Sequence, residues 1–473
     1  LYAASEATPF AKSGGLADVA GSLPNALAKL GHDVRVILPL YSAIPAKWRR
    51  QMTFLKRFHF PLSWRNAYCG LFSLEYQGLT YYFIDNEYYF KREGLYGQFD
   101  DGERFAYFSR AVVEVPVQLG WSPDVIHCND WQTGLVPVYL LEARHREPLL
   151  KHTKSVFTIH NIEYQGRFDR NILGDVLGLD EGYFREDMLS YYGDVNLMKG
   201  AIMASNFVTT VSPTYAKELQ YAFYAHGLEG VIADNYHKFT GILNGIDTDV
   251  YDPEHDAAIA KPFSAKNPDG KKEDKADLQR EFSLPVRDDV PIIGMVSRLV
   301  SHKGLDLVKA VLDELLSTTD VQLVVLGTGD WEYENFFREV EARYPGKVGL
   351  RIAFIPDLAR KIYAGCDMFL MPSKSEPCGL SQMLALRYGT LPIVRETGGL
   401  KDSITDSGDG EGNGFTFKSY NAHDMLGAIR RALGAYGNRD YWDSLVERAL
   451  KCDNSWGRSA REYMRLYRET VGK

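Results

Sequence analysis

Two successive α/β halves, each a doubly wound parallel sheet and the pair facing a central cleft, are the fold class this sequence predicts. Three observations predict it. The 473 residues exceed one ordinary core and suit two domains of about 200 residues each. Short apolar runs recur with helical stretches between them, the rhythm of βαβ units. That rhythm stops after Gly241 and starts again near Pro291. The first domain is therefore expected over residues 1–242 and the second over residues 243–455.

The opening reads as strand, loop, helix, strand. Residues 1–5 are short and apolar, and residues 6–15 form a long loop. Residues 16–30 carry Leu16, Val19, Leu23, Leu27 and Leu30 at helical spacing, Gly31 stops that helix, and residues 34–39 form a buried strand. Further strands are predicted at residues 125–128, 155–159 and 207–211. In the second half they fall at residues 291–296, 321–326, 349–354, 368–371 and 391–394. Between the halves, residues 251–275 are polar and rich in Pro and Lys, and read as a surface excursion. Residues 456–467 place aromatic residues at helical spacing.

The chemistry of the whole chain narrows its partners. Acidic residues outnumber basic ones, 62 to 54, for a formal charge of −8, which argues against a nucleic-acid binder. No apolar run approaches the roughly 18 residues of a membrane span. There is no basic-then-apolar leader. Because residue 1 is Leu and opens inside a strand pattern, a few residues are expected to precede it, so that absence says little about targeting. Five scattered cysteines (Cys69, Cys128, Cys366, Cys378 and Cys452) form no metal-ligand spacing and read as reduced thiols. No metal and no cofactor are expected.

Such a fold hosts many reactions, so function must be read from the loops at strand C-termini. Lys12-Ser13-Gly14-Gly15-Leu16 joins the first strand to its helix. Its glycines admit backbone N–H groups to an anion, and Lys12 adds a mobile positive charge. It matches neither the GxGxxG nor the Walker pattern, and its bland reading is a tight turn. Ser297-Arg298 and Ser301-His302-Lys303-Gly304-Leu305 follow the first strand of the second half. Arg298 and Lys303, five apart, offer phosphate a fork and a point charge, against the commoner fate of a solvated basic pair.

Pro372-Ser373-Lys374-Ser375-Glu376-Pro377-Cys378-Gly379-Leu380 places a carboxylate at a strand end ahead of a helix start. A Glu in such a place can accept hydrogen bonds from sugar hydroxyls, and the N–H groups of Cys378, Gly379 and Leu380 can bind an anion. A Glu drawn there only by the helix dipole is the bland alternative. Glu396-Thr397-Gly398-Gly399-Leu400 is a second glycine pair before a helix. In the first half, His127-Cys128-Asn129-Asp130-Trp131 and His160-Asn161-Ile162-Glu163-Tyr164-Gln165 put polar groups and aromatics at strand ends. For either His the competing reading is a satisfied core histidine, and His160, which ends its strand directly in a polar loop, is the better candidate.

These six stretches in this order resemble the bacterial glycogen synthase and plant starch synthase family, from Leu1 to about Tyr467. The resemblance implies a GT-B arrangement of two Rossmann-like domains, with the last helix, residues 456–473, completing the first. It implies glucose transfer from ADP-glucose to the non-reducing-end 4-hydroxyl of an α-1,4-glucan, with retention of configuration. By the same resemblance Lys12, Gly14 and Gly15 meet the donor phosphates, with Thr397, Gly398 and Gly399 also lining the donor. Arg298 and Lys303 neutralise the leaving diphosphate, and Glu376 binds donor glucose, helped by Cys378, Gly379 and Leu380. His160 lies near the anomeric carbon and Phe354 against the adenine. Glu6, Tyr96, Asp130, Trp131, Asn161 and Asn244 line the sugar and acceptor region. Related retaining transferases often carry a second Glu eight positions after the first; Leu384 stands there, as is general in the synthase family. A UDP-glucose-dependent transferase, a GT-B sugar-nucleotide epimerase and a non-catalytic glucan binder stand as alternatives. The last predicts loss of the cleft cations, and Lys12, Arg298 and Lys303 are present. The compartment implied is a bacterial cytoplasm, or the plastid stroma of a plant or alga.

Overall fold

A parallel strand covered on both faces is apolar along its length, whereas a strand with one open face alternates. Both patterns occur in the computed structural model, which describes residues 1–472. Packing divides the chain into two units, Leu1–Asn244 with Trp456–Lys473, and Gly245–Ser455. Residue 473, the end of the helix expected at 456–473, lies outside the described residues.

The first unit contains β1 (Tyr2–Ala3), β2 (Arg35–Pro39), β3 (Thr53–Leu62), β4 (Arg65–Tyr76), β5 (Leu79–Asp85), β6 (Val125–Asn129) and β7 (Lys154–Ile159). It continues with β8 (Arg167–Asp169), β9 (Ser190–Tyr191), β10 (Asp194–Asn196), β11 (Phe207–Thr210) and β12 (Phe239–Gly241). Strands β8, β10 and β9 form a small sheet of their own; the other nine align as β12-β11-β7-β6-β1-β2-β5-β4-β3. From β12 to β5 every pairing is parallel. The chain leaves β1 toward β2 on one side and later takes up β6 on the other, so β1 is the topological switch point. A ligand crevice belongs beyond its C-terminal end.

The hairpin strands β3 and β4, and β5 after them, escape the sequence reading. They pair antiparallel, and β3 is an edge strand whose inward residues Phe58, Phe60 and Leu62 alternate with exposed ones. The two-residue period of β3 differs from the unbroken runs by which the predicted strands are recognised, and the two- and three-residue strands β8, β9, β10, β12 and β18 are too short to leave such a run.

The helix Gly15–Ala28 buries Leu16, Val19, Leu23 and Leu27, four of the five residues of the predicted apolar face; the helix stops two residues early, and Leu30 lies beyond it, 40% exposed. The final helix, Trp456–Val471, buries Trp456, Ala460, Tyr463 and Leu466 and belongs to the first unit.

The second unit is built on β13 (Ile292–Val296), β14 (Gln322–Leu326), β15 (Val348–Arg351), β16 (Met368–Met371), β17 (Leu391–Arg395) and β18 (Phe415–Phe417). All pair parallel in the order β15-β14-β13-β16-β17-β18. Every residue of β14 and β17 is buried. Here β13 is the switch point, and the loops after β13 and β16 flank its C-terminal end.

Two expectations change. The strand expected at residues 349–354 is β15, which begins a residue earlier and stops at Arg351. Pro356 opens the helix Pro356–Gly365, and Phe354 is left on the connecting loop, 81% exposed. The stretch 251–275 is also no surface excursion throughout. Its last residues enter the helix Gly270–Glu281, and Phe263, Asp274 and Lys275 are buried. The lysines mislead because their charges find partners inside. The Lys271 ammonium donates to the carbonyls of Ala364 at 2.7 Å and Tyr388 at 2.9 Å and to Thr390 Oγ1 at 2.8 Å. Lys275 pairs with Asp367 at 2.9 Å. Burial still lowers the Lys271 pKa to about 8.

Candidate active site

In the second unit the loops after β13 and β16 converge on one carboxylate. A single turn, Ser301–Lys303, follows β13 and ends at Gly304, whose φ of +80° suits glycine. A side chain at Gly304 would meet the Pro372 carbonyl at 2.0 Å, so this glycine is what lets the two loops touch. The Lys374 N–H donates to the His302 carbonyl at 2.9 Å, tying them together. Lys303 Nζ then lies 3.0 Å from Glu376 Oε1 and 2.8 Å from Oε2, and Ser373 Oγ donates to Oε2 at 2.9 Å.

Glu376 is 7% exposed. Burial alone would raise its carboxyl pKa. The Lys303 charge, the Lys303 hydrogen bonds and the Ser373 hydroxyl outweigh that, and the group sits below its usual range.

The second glycine pair has a structural duty the sequence does not announce. Gly398, at φ +46°, and Gly399 pack backbone to backbone under the Glu376 loop. Added Cβ atoms would lie 1.8 Å from the Glu376 carbonyl and 2.0 Å from that of Cys378. The Gly399 N–H donates to the carbonyls of Glu376 and Pro377, both at 3.1 Å. Thr397, fully buried, heads this turn. Cys378 is buried and its carbonyl accepts from Gln382, while Gly379 and Leu380 lead into the helix Ser381–Arg387. Arg298 and Phe354 are exposed.

One residue that the sequence reading passes over holds the arrangement from below. Arg395, at the end of β17 and 9% exposed, donates to the Lys374 carbonyl at 2.8 Å. Its signal was a lone cation closing an apolar strand, on the edge where ligands bind.

In the first unit, the loop after β1 folds onto its own acid. Glu6 is 2% exposed. Its Oε2 accepts from Ser13 N at 2.9 Å and Ser13 Oγ at 2.6 Å, and its Oε1 from Gly14 N and Ala17 N, both at 3.2 Å. The head of the helix Gly15–Ala28, expected to offer amides to a ligand anion, therefore already holds a carboxylate of the chain. Lys12 pairs with Asp18 at 2.7 Å, an exposed contact worth at most about 1 kcal/mol. Tyr96 spends its hydroxyl on Ser5 Oγ at 2.6 Å.

The two histidines part company. His127 is 3% exposed, with Nδ1 2.6 Å from the Tyr467 hydroxyl and Nε2 2.6 Å from Thr158 Oγ1. It is the satisfied core histidine, and it ties down the last helix. His160 is partly open. Asn129 Nδ2 donates to the Ala3 carbonyl, so Asn129 Oδ1 is the acceptor facing His160 Nε2 at 2.8 Å. The proton is thus on Nε2 and Nδ1 is the acceptor nitrogen. Burial lowers the His160 pKa to about 3, so the ring is neutral at physiological pH.

Asp130 sits at φ +55°, a conformation that costs a non-glycine residue about 1–3 kcal/mol and clusters at functional sites. Its Oδ1 accepts from His160 N at 2.7 Å and Asn161 N at 3.4 Å. Burial pushes its carboxyl up to about 7, with those two amides holding it back. Folded protein therefore binds more protons here than unfolded protein between pH 3.8 and about 7, and stability falls as pH rises through that window. Asp130→Asn, which tolerates positive φ, is expected to flatten this dependence. Thermal unfolding of both proteins across pH checks it, and parallel pH profiles would count against it.

Two residues expected to face sugar are turned inward. Trp131 is 9% exposed and packs against Phe105 and Phe168, with Gly166 against its ring. Asn244 is 6% exposed, with an Oδ1 that finds no partner among the described residues. Asn161 is partly buried and turns its Oδ1 to Glu163 N at 3.0 Å. A grouping that the sequence reading passes over, though its members lie within four positions, is Asp252, Glu254 and His255, on an exposed turn closed by a 2.7 Å bond between His255 Nδ1 and Asp252.

Residues 1–234 match the family described as the starch synthase catalytic domain, and residues 278–446 match the glycosyl transferases group 1. A glycogen synthase of Geobacillus thermodenitrificans (strain NG80-2) is 53% identical over 475 residues, covering 100% of this chain and 98% of the relative. That of Desulforamulus reducens is 52% identical over 473 residues, again covering 100% and 98%. Among solved structures, the catalytic domain of starch synthase IV from Arabidopsis thaliana, bound to ADP and acarbose, superposes with a TM-score of 0.93. It is 37% identical, with 100% of this chain and 99% of that one covered. Sucrose-phosphate synthase from Thermosynechococcus elongatus, 17% identical with a TM-score of 0.60 over 100% and 98% of the two chains, shares the fold.

Proposed function

This chain belongs to the family of glycogen synthases and starch synthases and has its two-domain GT-B fold, and from that premise we propose the donor, the acceptor and the work of each residue. It is a glycosyltransferase of glucan synthesis. The donor we infer is ADP-glucose, supported by the ADP held in the starch synthase relative. The acceptor we infer is the 4-hydroxyl at the non-reducing end of an α-1,4-glucan. The reaction forms a bond from the glucose anomeric carbon to that oxygen and breaks its bond to the diphosphate, with configuration retained. The acceptor proton leaves with the departing phosphate.

The observation that carries this reading is the buried Lys303–Glu376 pair at the switch point of the second sheet. An ionised carboxylate offers about four acceptor positions. Lys303 uses one on each oxygen and Ser373 one on Oε2. One position on Oε1 remains for a sugar hydroxyl. As the diphosphate leaves, negative charge grows on it while the sugar becomes cationic. The ammonium of Lys303 and the exposed guanidinium of Arg298 favour the first change, and the Glu376 carboxylate favours the second. The neutral His160 adds no opposing positive charge near the sugar. We propose that these side chains supply the charge and that no metal or organic cofactor takes part. The five free thiols fit a reducing compartment, a bacterial cytoplasm or a plastid stroma. No described helix is long and apolar enough to cross a membrane.

Incorporation of labelled glucose into a glycogen primer, from ADP-glucose and UDP-glucose side by side, tests the proposal. Faster incorporation from ADP-glucose, unchanged by a chelator, is expected. A preference for UDP-glucose would overturn the donor, and turnover of nucleotide-sugar without glucan would overturn the transfer.

A further inference from the structure

A carboxylate with no acceptor position left cannot bind a sugar, and Glu6 has none. Ser13 N and Ser13 Oγ occupy its Oε2, and Gly14 N and Ala17 N its Oε1. Glu376 keeps a position open; Glu6 does not. The Tyr96 hydroxyl, bonded to Ser5, also lies within reach of the Glu6 carboxylate: burial raises its pKa, the charge and hydrogen bonding of Glu6 help raise it further, and it adds to the four donors already there. All four donors come from the loop and first helical turn that follow β1, so one buried side chain dictates where Ser13, Gly14 and the head of the helix Gly15–Ala28 stand. Phe10, packed among Trp48, Tyr76, Tyr81 and Phe83, and Thr8, bonded to the Ala17 carbonyl, anchor the earlier part of the loop, and Glu6 is what fixes the amides of Ser13 and Gly14. The Lys12–Asp18 pair is exposed and readily exchanged.

We propose that Glu6 is a positioning residue for the donor: its carboxylate is a built-in anion that fills the amide cradle and holds the Lys12–Gly15 loop in the shape that receives the donor phosphates. This rests on the reading of that loop as a diphosphate contact. Lys12 and the Gly15 amide are the groups left to meet phosphate, because Glu6 has taken those of Ser13, Gly14 and Ala17. The consequence is a separation of roles. Although Glu6 is buried beside residues that the family resemblance assigns to the acceptor, its loss acts on nucleotide-sugar binding.

The experiment uses the full chain with two variants, Glu6→Gln and Ser13→Ala. Glu6→Gln replaces one acceptor oxygen by an NH2 group that faces two donors. Ser13→Ala removes only the hydroxyl bond. Four quantities are read: the Kd for ADP by calorimetry, the KM for the nucleotide-glucose that wild type uses, the KM for glycogen, and Tm. Losing a charge-assisted bond while leaving donors unpaired is worth on the order of a tenfold change in binding. The expected result is therefore ADP Kd and donor KM raised about tenfold in Glu6→Gln and a few-fold in Ser13→Ala, with the glycogen KM within about twofold of wild type. A raised glycogen KM with unchanged ADP affinity would overturn the proposal in favour of an acceptor contact. A lower Tm with both KM values unchanged would reduce Glu6 to a purely structural residue and overturn it too. Should Glu6→Gln fail to fold, Ser13→Ala decides by the same criteria. If wild type itself binds no ADP, it is the diphosphate reading of the loop that has failed, whatever the variants do.

Discussion

Glu376→Ala is expected to lower kcat by about 100- to 1,000-fold or more, the largest effect of any single substitution in this chain. Two losses add in the same variant. The acceptor position on Oε1 that serves the donor glucose disappears, and with it the negative charge that stabilises a cationic sugar. At the same time Lys303 loses the carboxylate that fixes its ammonium, since both of its short contacts among the described residues are to Glu376. The phosphate-neutralising cation then samples other positions, and its pre-organisation for the transition state goes with it. Glu376→Gln separates these terms. It keeps shape and an acceptor for Ser373 but not the charge, so its kcat should fall between those of alanine and wild type. Steady-state kinetics with saturating glycogen, beside circular dichroism to establish folding, make the measurement. Near-wild-type kcat in a folded Glu376→Ala protein would remove Glu376 from the reaction.

Lys303→Ala is expected to cost on the order of 100-fold in kcat and, unlike Glu376→Ala, to invert a pH dependence of stability. In wild type the Glu376 carboxyl is held below its usual value of 4.5. It therefore contributes stability above that pH, and the contribution is lost as pH falls through the folded value. Without Lys303 burial becomes the dominant influence and the carboxyl rises above 4.5. The folded state then prefers the protonated acid, and stability is lost as pH rises. Removing one partner of a buried pair typically costs about 3–5 kcal/mol, because an uncompensated charge stays behind. The variant should consequently be closest to wild type in Tm near pH 5 and furthest from it near pH 8. A Tm difference independent of pH would mean that Glu376 does not depend on Lys303 for its charge. Lys303→Arg, with a planar fork in place of a point charge, should restore stability better than activity.

Much of this site was legible in one dimension. Lys303, Glu376, Gly398 and Gly399 were singled out because cations, a carboxylate and glycine pairs stood where apolar runs end and helical periodicity begins. The switch-point geometry of doubly wound sheets puts such places at a ligand. The same rule ranked His160 above His127, and the structure gives His127 a core role. What the sequence misjudged shares one cause. Trp131 was expected to face sugar for its flat ring and Glu6 by the family resemblance, yet each is consumed by neighbours: Trp131 by Phe105 and Phe168, Glu6 by Ser13, Gly14 and Ala17. The lysines at 271 and 275 were read as solvent-facing for the same reason, and their charges end on Thr390, Asp367 and backbone carbonyls.

Local pattern and composition by themselves determined the strands that are buried on both faces, the two-sheet architecture and the loops that carry the chemistry. Each of these leaves a mark within a few consecutive residues, as an apolar run, a helical period or a glycine pair. Only the tertiary structure decided which polar groups are still free to work. Glu6 and Glu376 look alike in sequence, buried carboxylates on loops after parallel strands. One has every acceptor position filled from its own loop. The other, 73 residues in sequence from the lysine that pairs with it, keeps one open. Hydrogen-bonding capacity is spent in three dimensions: the Glu6 donors lie within 11 residues of it and Lys303 lies 73 from Glu376, yet in neither case does the order of residues say which amide or ammonium turns toward the carboxylate.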